Sequence, residues 1–348
     1  MSTILFRVNA GSEYGLGHLM RCLALAQSLK KQNVNSVFLV NHEARAICQQ
    51  RQDWTGEIVT LDPHVVECED VSCIQGLIQQ FSLSAIVIDG YTFSSSYRKQ
   101  LQNLGCFVIC FDDTNEFGDL HADLIVNGAN AALTLEYETT NPQSILCLGD
   151  EYTVMREEFI ANQQRHFPYR ESLLVMLGGS DPLALTLPII KELQHQRFQH
   201  AIDIVTGAAN PNAKEISNCL QSSQLNARHL HDCQNMAQIM ARSRFAISAA
   251  GGSQFELQAC GCPSLLLVVA NNQCNATRDA VQQGWCQCLD CQGADSELSK
   301  QAFAKAIVKQ TLAIWEDPDL LMSMHCKANE TKHIGGAQKL AHAIKQKV

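Results

Sequence analysis

Apolar residues along the chain fall into two alternating patterns. The first is a short apolar run that breaks on a polar or glycine-rich segment. Ile4–Val8 runs into Asn9-Ala10-Gly11-Ser12, Ile86–Ile88 into Asp89-Gly90, Phe107–Phe111 into Asp112-Asp113, and Leu124–Val126 into Asn127-Gly128. Val37–Val40 is a further run of this kind. The second pattern is helical. Leu19–Leu29 carries apolar residues at 19, 22, 23, 26 and 29, one face of a 3.6-residue period. Short runs that are apolar throughout and rich in Val and Ile predict a parallel sheet covered by helices on both sides.

The alternation restarts near residue 172. Leu173–Leu177 leads into Gly178-Gly179-Ser180-Asp181, and Ile202–Val205 into Thr206-Gly207. Phe245–Ser248 leads into Ala249-Ala250-Gly251-Gly252-Ser253, and Leu265–Val269 into Ala270-Asn271-Asn272-Gln273. Between the two series, Asn162–Arg170 is polar and ends in Phe-Pro-Tyr-Arg, which reads as a linker with the boundary near 165–171. The expected architecture is α/β with two Rossmann-like lobes. Residues 1–168 form the first, and residues 169–348 the second, with C-terminal helices from about residue 297. Open parallel sheets bind ligands in the crevice at the carboxyl ends of their strands. The polar and glycine segments follow strand ends in both halves, so the two sheets are expected to face each other across a ligand-binding cleft.

Composition narrows the class of partner. The chain has 348 residues, which suits two domains of about 150 residues each. Its net charge of −9 argues against a broad basic surface for long nucleic acid. A nucleotide ligand stays open, because N–H groups at helix starts hold phosphate without net positive charge. No apolar run approaches the ~20 residues of a membrane span. The opening Met-Ser-Thr-Ile-Leu-Phe-Arg-Val-Asn lacks a signal-peptide pattern, so a cytoplasmic protein with free thiols is expected for the 16 cysteines. Cys286, Cys288 and Cys291 are spaced C-x-C-x-x-C, with Cys260, Cys262 and Cys274 upstream. Paired knuckles and a histidine at finger spacing are missing, so these read as packed thiols, and no metal or cofactor is expected.

The strongest local signal is Gly15-Leu16-Gly17-His18-Leu19-Met20-Arg21, between the first strand and the first helix. Glycines there let the backbone approach a ligand. His18 falls in the first helical turn, and Arg21 follows three residues later on the same face. The helix dipole disfavours protonation of His18, and a neutral imidazole can take a proton from water. His18 can equally be a cap or a packed polar residue. Gly251, Gly252 and Ser253 follow a strand and open a helix, where backbone amides can cradle a pyrophosphate. Glu256, one turn in, can accept ribose hydroxyls. The plain alternative is a tight turn and a solvated Glu. The same choice applies to Gly178, Gly179, Ser180 and Asp181. Asp89, Tyr91, Asp112 and Asp113 follow neighbouring strands, where they can bind sugar groups, orient His18, or cap helices. Asn272 and Gln273 can place amides in the cleft or serve a turn.

Together these residues resemble the PseG/SpsG group of nucleotide-sugar hydrolases, known from nonulosonate (pseudaminic acid) biosynthesis and flagellin modification. The resemblance covers roughly residues 3–290. It rests on Phe6-Arg7 with Gly15-x-Gly17-His18-x-x-Arg21, Ile88-Asp89-x-Tyr91, Phe111-Asp112-Asp113 and Asp123-Leu-Ile-Val-Asn127. It continues through Gly149-x-x-Tyr152-x-x-x-Arg156-Glu-Glu158-Phe159, Leu177-Gly178-Gly179-Ser180-Asp181, Glu256 and Asn272-Gln273. It implies a GT-B fold similar to that of the MurG transferase. It also implies inverting, metal-free hydrolysis of a UDP-linked 2,4-diacetamido-2,4,6-trideoxy sugar, by a monomer or weak homodimer. By position His18 is the implied catalytic histidine, with Tyr91 and Asn272 placing water and sugar. Glu256 takes the nucleoside, and Gly251 to Ser253 the phosphates. Asn9, Gly15, Gly17, Arg21, Asp89, Asp112, Asp113, Tyr152, Gly178 to Asp181, and Gln273 complete the expected substrate-binding set. Two positions depart from the family pattern: Asn9, where an Asp is usual, and Gly90, where many members have His. The alternatives are a GT-B glycosyltransferase with an acceptor other than water, and a non-catalytic nucleotide-sugar-binding protein.

Overall fold

Strands that are apolar on both faces can only be buried between two layers of helix, and both halves of the chain meet that demand. The computed structural model describes residues 2–11, 15–62, 65–160, 166–208 and 210–348. In the first half, seven strands make one parallel sheet. They are Thr3–Val8 (β1), Asn35–Val40 (β2), Glu57–Thr60 (β3), Leu83–Asp89 (β4), Phe107–Phe111 (β5), Leu124–Asn127 (β6) and Ile145–Leu148 (β7). Their order is β3-β2-β1-β4-β5-β6-β7. In the second half, six strands make another parallel sheet, ordered β10-β9-β8-β11-β12-β13. They are Ser172–Met176 (β8), Ile202–Thr206 (β9), Ala227–His231 (β10), Ser243–Ala249 (β11), Ser264–Val268 (β12) and Cys286–Asp290 (β13).

Side chains alternate across each strand and feed a core on either side. Ile4, Phe6 and Val8 of β1 pack with Leu19, Cys22 and Leu25 of the helix Gly17–Lys31 (α1), whereas Leu5 packs with Ile74 and Leu77. Arg7 shares the Leu5 side, where it is buried and donates from Nε to Asp70 Oδ2 at 2.8 Å. The strand order reverses between β1 and β4 and between β8 and β11. Each sheet therefore has a switch point, with a crevice outside the carboxyl ends of those two strands.

Every strand expected from the sequence is present. The three not expected, β3, β10 and β13, are sheet edges; the fourth edge is β7, where the apolar run around Cys147 reads as a strand. An edge strand is half solvated and need not be apolar throughout: β10 reads Ala-Arg-His-Leu-His and β13 Cys-Gln-Cys-Leu-Asp. All 16 cysteines are free, and Cys286 and Cys291 are buried among apolar side chains. Among the described residues no three His, Cys, Asp or Glu converge as a metal set would. No helix among them is long and apolar enough to cross a membrane.

The chain divides into two compact units, one of Met1–Glu157 with His333–Val348 and one of Glu158–Lys332. This differs from the expected division in two ways. First, of the expected linker, residues 162–165 lie outside the described residues, and the rest belongs to the second unit, with two of its residues buried there. Phe167 is buried in its core, and the buried Arg170 donates to the carbonyls of Gly261 at 3.0 Å and Cys260 at 3.2 Å. A guanidinium there satisfies the carbonyls just past the end of the helix Ser253–Ala259. Second, the C-terminal helices do not all belong to the second unit. Glu297–Trp315 and Pro318–Thr331 pack there, but Gly336–Lys345 lies on α1 through Leu340, Ala341 and Ile344. Gly336 allows that approach, since a Cβ on it would lie 2.3 Å from the Thr153 carbonyl oxygen.

Candidate functional site

In the first unit the polar residues expected to act together converge at the carboxyl ends of β1, β4 and β5. α1 begins soon after β1, and its residues 18, 21 and 22 share a face. Asp89 is the last residue of β4 and is paired in register with Val8. Its carboxylate is fully buried. It accepts from His18 Nδ1 at 2.6 Å, from Arg21 Nε at 2.6 Å and Nη2 at 2.7 Å, and from Cys22 Sγ at 3.5 Å. Burial alone would raise the Asp89 carboxyl, but the charges and hydrogen bonds of Arg21 and His18 outweigh it and hold it at about 2.

Arg21 is a fork between two carboxylates. It binds Asp89 on one side, and on the other it reaches Asp113 from Nη1 at 2.8 Å and Nη2 at 3.3 Å. Its guanidinium carbon stands 4.8 Å from the centre of the Phe111 ring. Burial would raise the Asp113 carboxyl as well, but Arg21 and then Tyr91 pull it below its ordinary value. The Tyr91 hydroxyl donates to Asp113 Oδ2. The Tyr91 ring meets the His18 ring edge to face, with centroids 4.8 Å apart and planes at 77°. His18, Arg21, Asp89, Tyr91 and Asp113 thus form one connected cluster.

With Nδ1 held on a carboxylate, His18 carries its proton there and presents Nε2 as an acceptor. Nε2 has no partner among the described residues. Such an Asp–His pair can take a proton from a bound water or hydroxyl.

Ahead of His18, Gly11 N donates to Gly15 O at 3.1 Å, and Gly15 has a φ of +72°. Gly17 is the first residue of α1, which has no side-chain cap at its N-terminus. Asn9 stands beside Gly90, with Oδ1 accepting from Arg7 Nη1 at 3.1 Å and Nδ2 donating to Thr92 Oγ1.

Two residues expected at the ligand in this unit are turned into the protein instead. Asp112 is buried and accepts from the Tyr137 hydroxyl, from Asn115 N at 2.7 Å and from Thr114 N at 3.2 Å. It shapes the loop that presents Asp113. Tyr152 packs with the C-terminal helix, its ring 4.6 Å from Lys339 Nζ.

In the second unit the expected residues follow β8, β11 and β12. Gly178, at φ +77°, and Gly179 follow β8, and a Cβ on Gly207 would lie 2.6 Å from the Gly179 carbonyl oxygen. Ser180 is half-buried beside them. Asp181 is a helix cap: its two carboxylate oxygens accept from Leu185 N at 3.0 Å and Thr186 N at 2.9 Å. It anchors the helix Thr186–His195 and has little capacity left for a ligand. Gly251 and Gly252 lead into Ser253, the first residue of the helix Ser253–Ala259, where Glu256 lies half-buried in the first turn. Asn272 and Gln273 close a single 3₁₀ turn after β12. Gln273 Oε1 accepts from Val269 N at 2.9 Å, and its Nε2 faces Gly251, which brings the β11 and β12 loops together.

Sequence reading missed Cys22, Phe111 and Thr92. The helical spacing from His18 to Cys22 was the available signal for the first. Phe111 belongs to a quoted motif but meets Arg21 only through the fold, and Thr92 follows a motif residue and meets Asn9.

No protein-family model matches the chain. It is 25% identical over 264 residues to an uncharacterised protein of Methanocaldococcus jannaschii, a match that covers 73% of this chain and 53% of the other. The chain thus spans about half the length of that relative. It is 25% identical over 250 residues to the UDP-2,4-diacetamido-2,4,6-trideoxy-beta-L-altropyranose hydrolase of Campylobacter jejuni, covering 71% of this chain and 84% of that one. It is 22% identical over 285 residues to the spore coat polysaccharide biosynthesis protein SpsG of Bacillus subtilis, covering 79% and 80%. Among solved structures, MurG of Acinetobacter baumannii aligns with a TM-score of 0.62 at 14% identity, over 99% of this chain and 100% of its own. The UDP complex of MnaA from S. aureus aligns with a TM-score of 0.66 at 14% identity, over 99% and 96%. The two parallel-sheet units have the GT-B fold.

Proposed function

We propose, from the resemblance to the PseG/SpsG family, that the chain hydrolyses a UDP-linked amino-deoxy sugar with inversion, releasing UDP and the free sugar. The sugar is of the 2,4-diacetamido-2,4,6-trideoxyhexose class, and the step serves nonulosonic acid or surface-polysaccharide biosynthesis. The observation that carries this reading is the His18–Asp89 contact, which leaves Nε2 as an acceptor beside Tyr91.

In the proposed step, a water oxygen forms a bond to the anomeric carbon from the face opposite UDP. The bond from that carbon to the β-phosphate oxygen breaks, and its electron pair leaves with UDP. His18 Nε2 takes one water proton, and the other stays on the new anomeric hydroxyl. A single base suffices for inversion because the diphosphate is already a good leaving group. The N–H groups at Gly251 to Ser253 take the charge that develops on it. Glu256 binds the ribose, and Asn272 the sugar.

The test is UDP release in water from a panel of UDP-sugars, with proton NMR following the anomer. The panel includes the 2,4-diacetamido-2,4,6-trideoxy-altrose and simpler N-acetylhexosamines. The expected result is free sugar of inverted configuration from the diacetamido donor. Tight UDP binding with no release from any donor would overturn the hydrolytic reading in favour of a transferase or a binding protein.

A further inference from the structure

We propose that Asp113 is a positioning residue that fixes both the place and the hydrogen-bond polarity of the Tyr91 hydroxyl. Its catalytic consequence rests on the hydrolytic reading above. The geometry does not.

A phenol has one hydrogen, and that of Tyr91 is given to Asp113 Oδ2. With the hydrogen committed, the phenolic oxygen meets any ligand as an acceptor. Asp113 is itself held by Arg21 through two bonds, and the same guanidinium holds Asp89 through two more. One rigid fork therefore sets the carboxylate that orients His18 and the carboxylate that orients Tyr91. The two oriented rings touch edge to face.

His18 Nε2 and Tyr91 Oη are then two acceptors presented from rings in contact. A water that serves both donates one hydrogen to each, and only its lone pairs remain for an electrophile. This is the orientation a nucleophilic water needs. During attack the hydrogen on the His18 side passes to Nε2. The hydrogen on the Tyr91 side stays on oxygen and becomes that of the anomeric hydroxyl. The Tyr91 proton does not move. Were Tyr91 a donor to the water, it would occupy a lone pair and blunt the attack.

The test combines Asp113→Asn, Tyr91→Phe and the double variant with two readouts. The first readout needs no turnover: it is the ring-current shift of the His18 ring protons in the NMR spectrum, assigned by their loss in His18→Gln. Asp113→Asn and Tyr91→Phe are both expected to move these resonances, because each releases the ring from its anchor. The second readout is kinetic. Each single variant is expected to lower kcat by about 10²-fold, the scale of a small misplacement of reacting groups, with KM little changed. Asp113→Asn is expected to cost nothing further in the Tyr91→Phe background. His18 resonances unmoved in Asp113→Asn, or kinetic losses that multiply in the double variant, would overturn the proposal. Should Asp113→Asn fail to fold, Tyr91→Phe leaves every ion pair in place and must by itself move the His18 resonances and lower kcat. Resonances that move in the variants, with a wild type that hydrolyses no UDP-sugar, would leave the positioning intact and remove the hydrolytic reading alone.

Discussion

Asp89→Asn is nearly isosteric, so its consequences are electrostatic. The carboxylate accepts three bonds from charged or ring nitrogens at 2.6, 2.6 and 2.7 Å in a fully buried position. An amide has one acceptor oxygen, and its NH₂ must face either a guanidinium or the imidazole. Breaking a buried ion pair costs about 3–5 kcal/mol. Arg21 keeps Asp113, which places the loss at the lower end, about 3 kcal/mol. Proton linkage supplies a separate figure. Holding the Asp89 carboxyl at about 2 instead of its ordinary ~3.9 corresponds to about 2–3 kcal/mol. The effect on turnover has a different origin. An amide N–H facing Nδ1 favours the tautomer with its proton on Nε2, which removes the base. Turnover is expected to fall about 10⁴-fold with KM little changed, the size of loss when an Asp–His pair loses its carboxylate in a serine-protease triad. Urea unfolding of both proteins gives the stability change. UDP release, measured at a temperature where both are folded, gives the rate. A variant that keeps turnover within an order of magnitude of wild type would refute the role given to Asp89. A variant as stable as wild type would show that the ion cluster contributes nothing net to folding.

The stability gap between wild type and Asp89→Asn should itself depend on pH. Asp89 is depressed in the folded state, so its contribution is full above the ordinary carboxylate range and is lost as pH falls toward about 2; urea midpoints from neutral to acid pH read this. Asp181→Ala should lose about 1–2 kcal/mol in urea unfolding, as a lost helix cap, and leave the rate of UDP release unchanged. Gly336→Ala should lose about 1–3 kcal/mol by overpacking against Thr153, read by urea unfolding, and should speed tryptic cleavage at Lys339 and Lys345. Thiol labelling followed by mass spectrometry should modify the exposed Cys68 and Cys326 first, and Cys262 among the last, because burial pushes its thiol up to about 12.

The centre of each sheet was legible because central strands must be apolar on both faces, and that pattern admits few alternatives. The edge strands β10 and β13 were not, because they are half solvated and carry Arg, His and Asp at positions where a central strand needs Val or Ile. The last helix was misplaced for a related reason. Leu340, Ala341 and Ile344 announce an apolar face, but nothing in that spacing says which sheet's helices it will meet. In the site, His18, Arg21, Asp89, Tyr91 and Asp113 were found because they end strands or open a helix, where the fold gathers side chains. The same signal also collected Asp112 and Asp181. An aspartate after a strand can face a ligand or cap the next turn, and only the backbone geometry distinguishes the two.

The two departures from the family pattern, Asn9 and Gly90, follow different strands but touch in space. A Cβ on Gly90 would stand 3.1 Å from Asn9 Nδ2 and 3.0 Å from Phe93 Cε2, on a backbone with φ of +154°. A side chain at 90 and an Asn9 tied to Thr92 therefore compete for the same place, and the two departures amount to one local exchange. Asn9 also matters electrostatically. Its Oδ1 accepts from Arg7, whose charge is already met by Asp70, so a carboxylate at position 9 would set a second anion against one buried guanidinium. The exchange stops short of the ion cluster: His18, Arg21, Asp89 and Asp113 keep their mutual contacts, and none of those contacts passes through Asn9 or Gly90. A change confined in this way alters what a ligand meets beside Tyr91 and leaves the groups that would move its protons untouched. On the hydrolytic reading, the difference between this chain and its relatives is therefore to be sought in the shape of the sugar, not in the type of reaction.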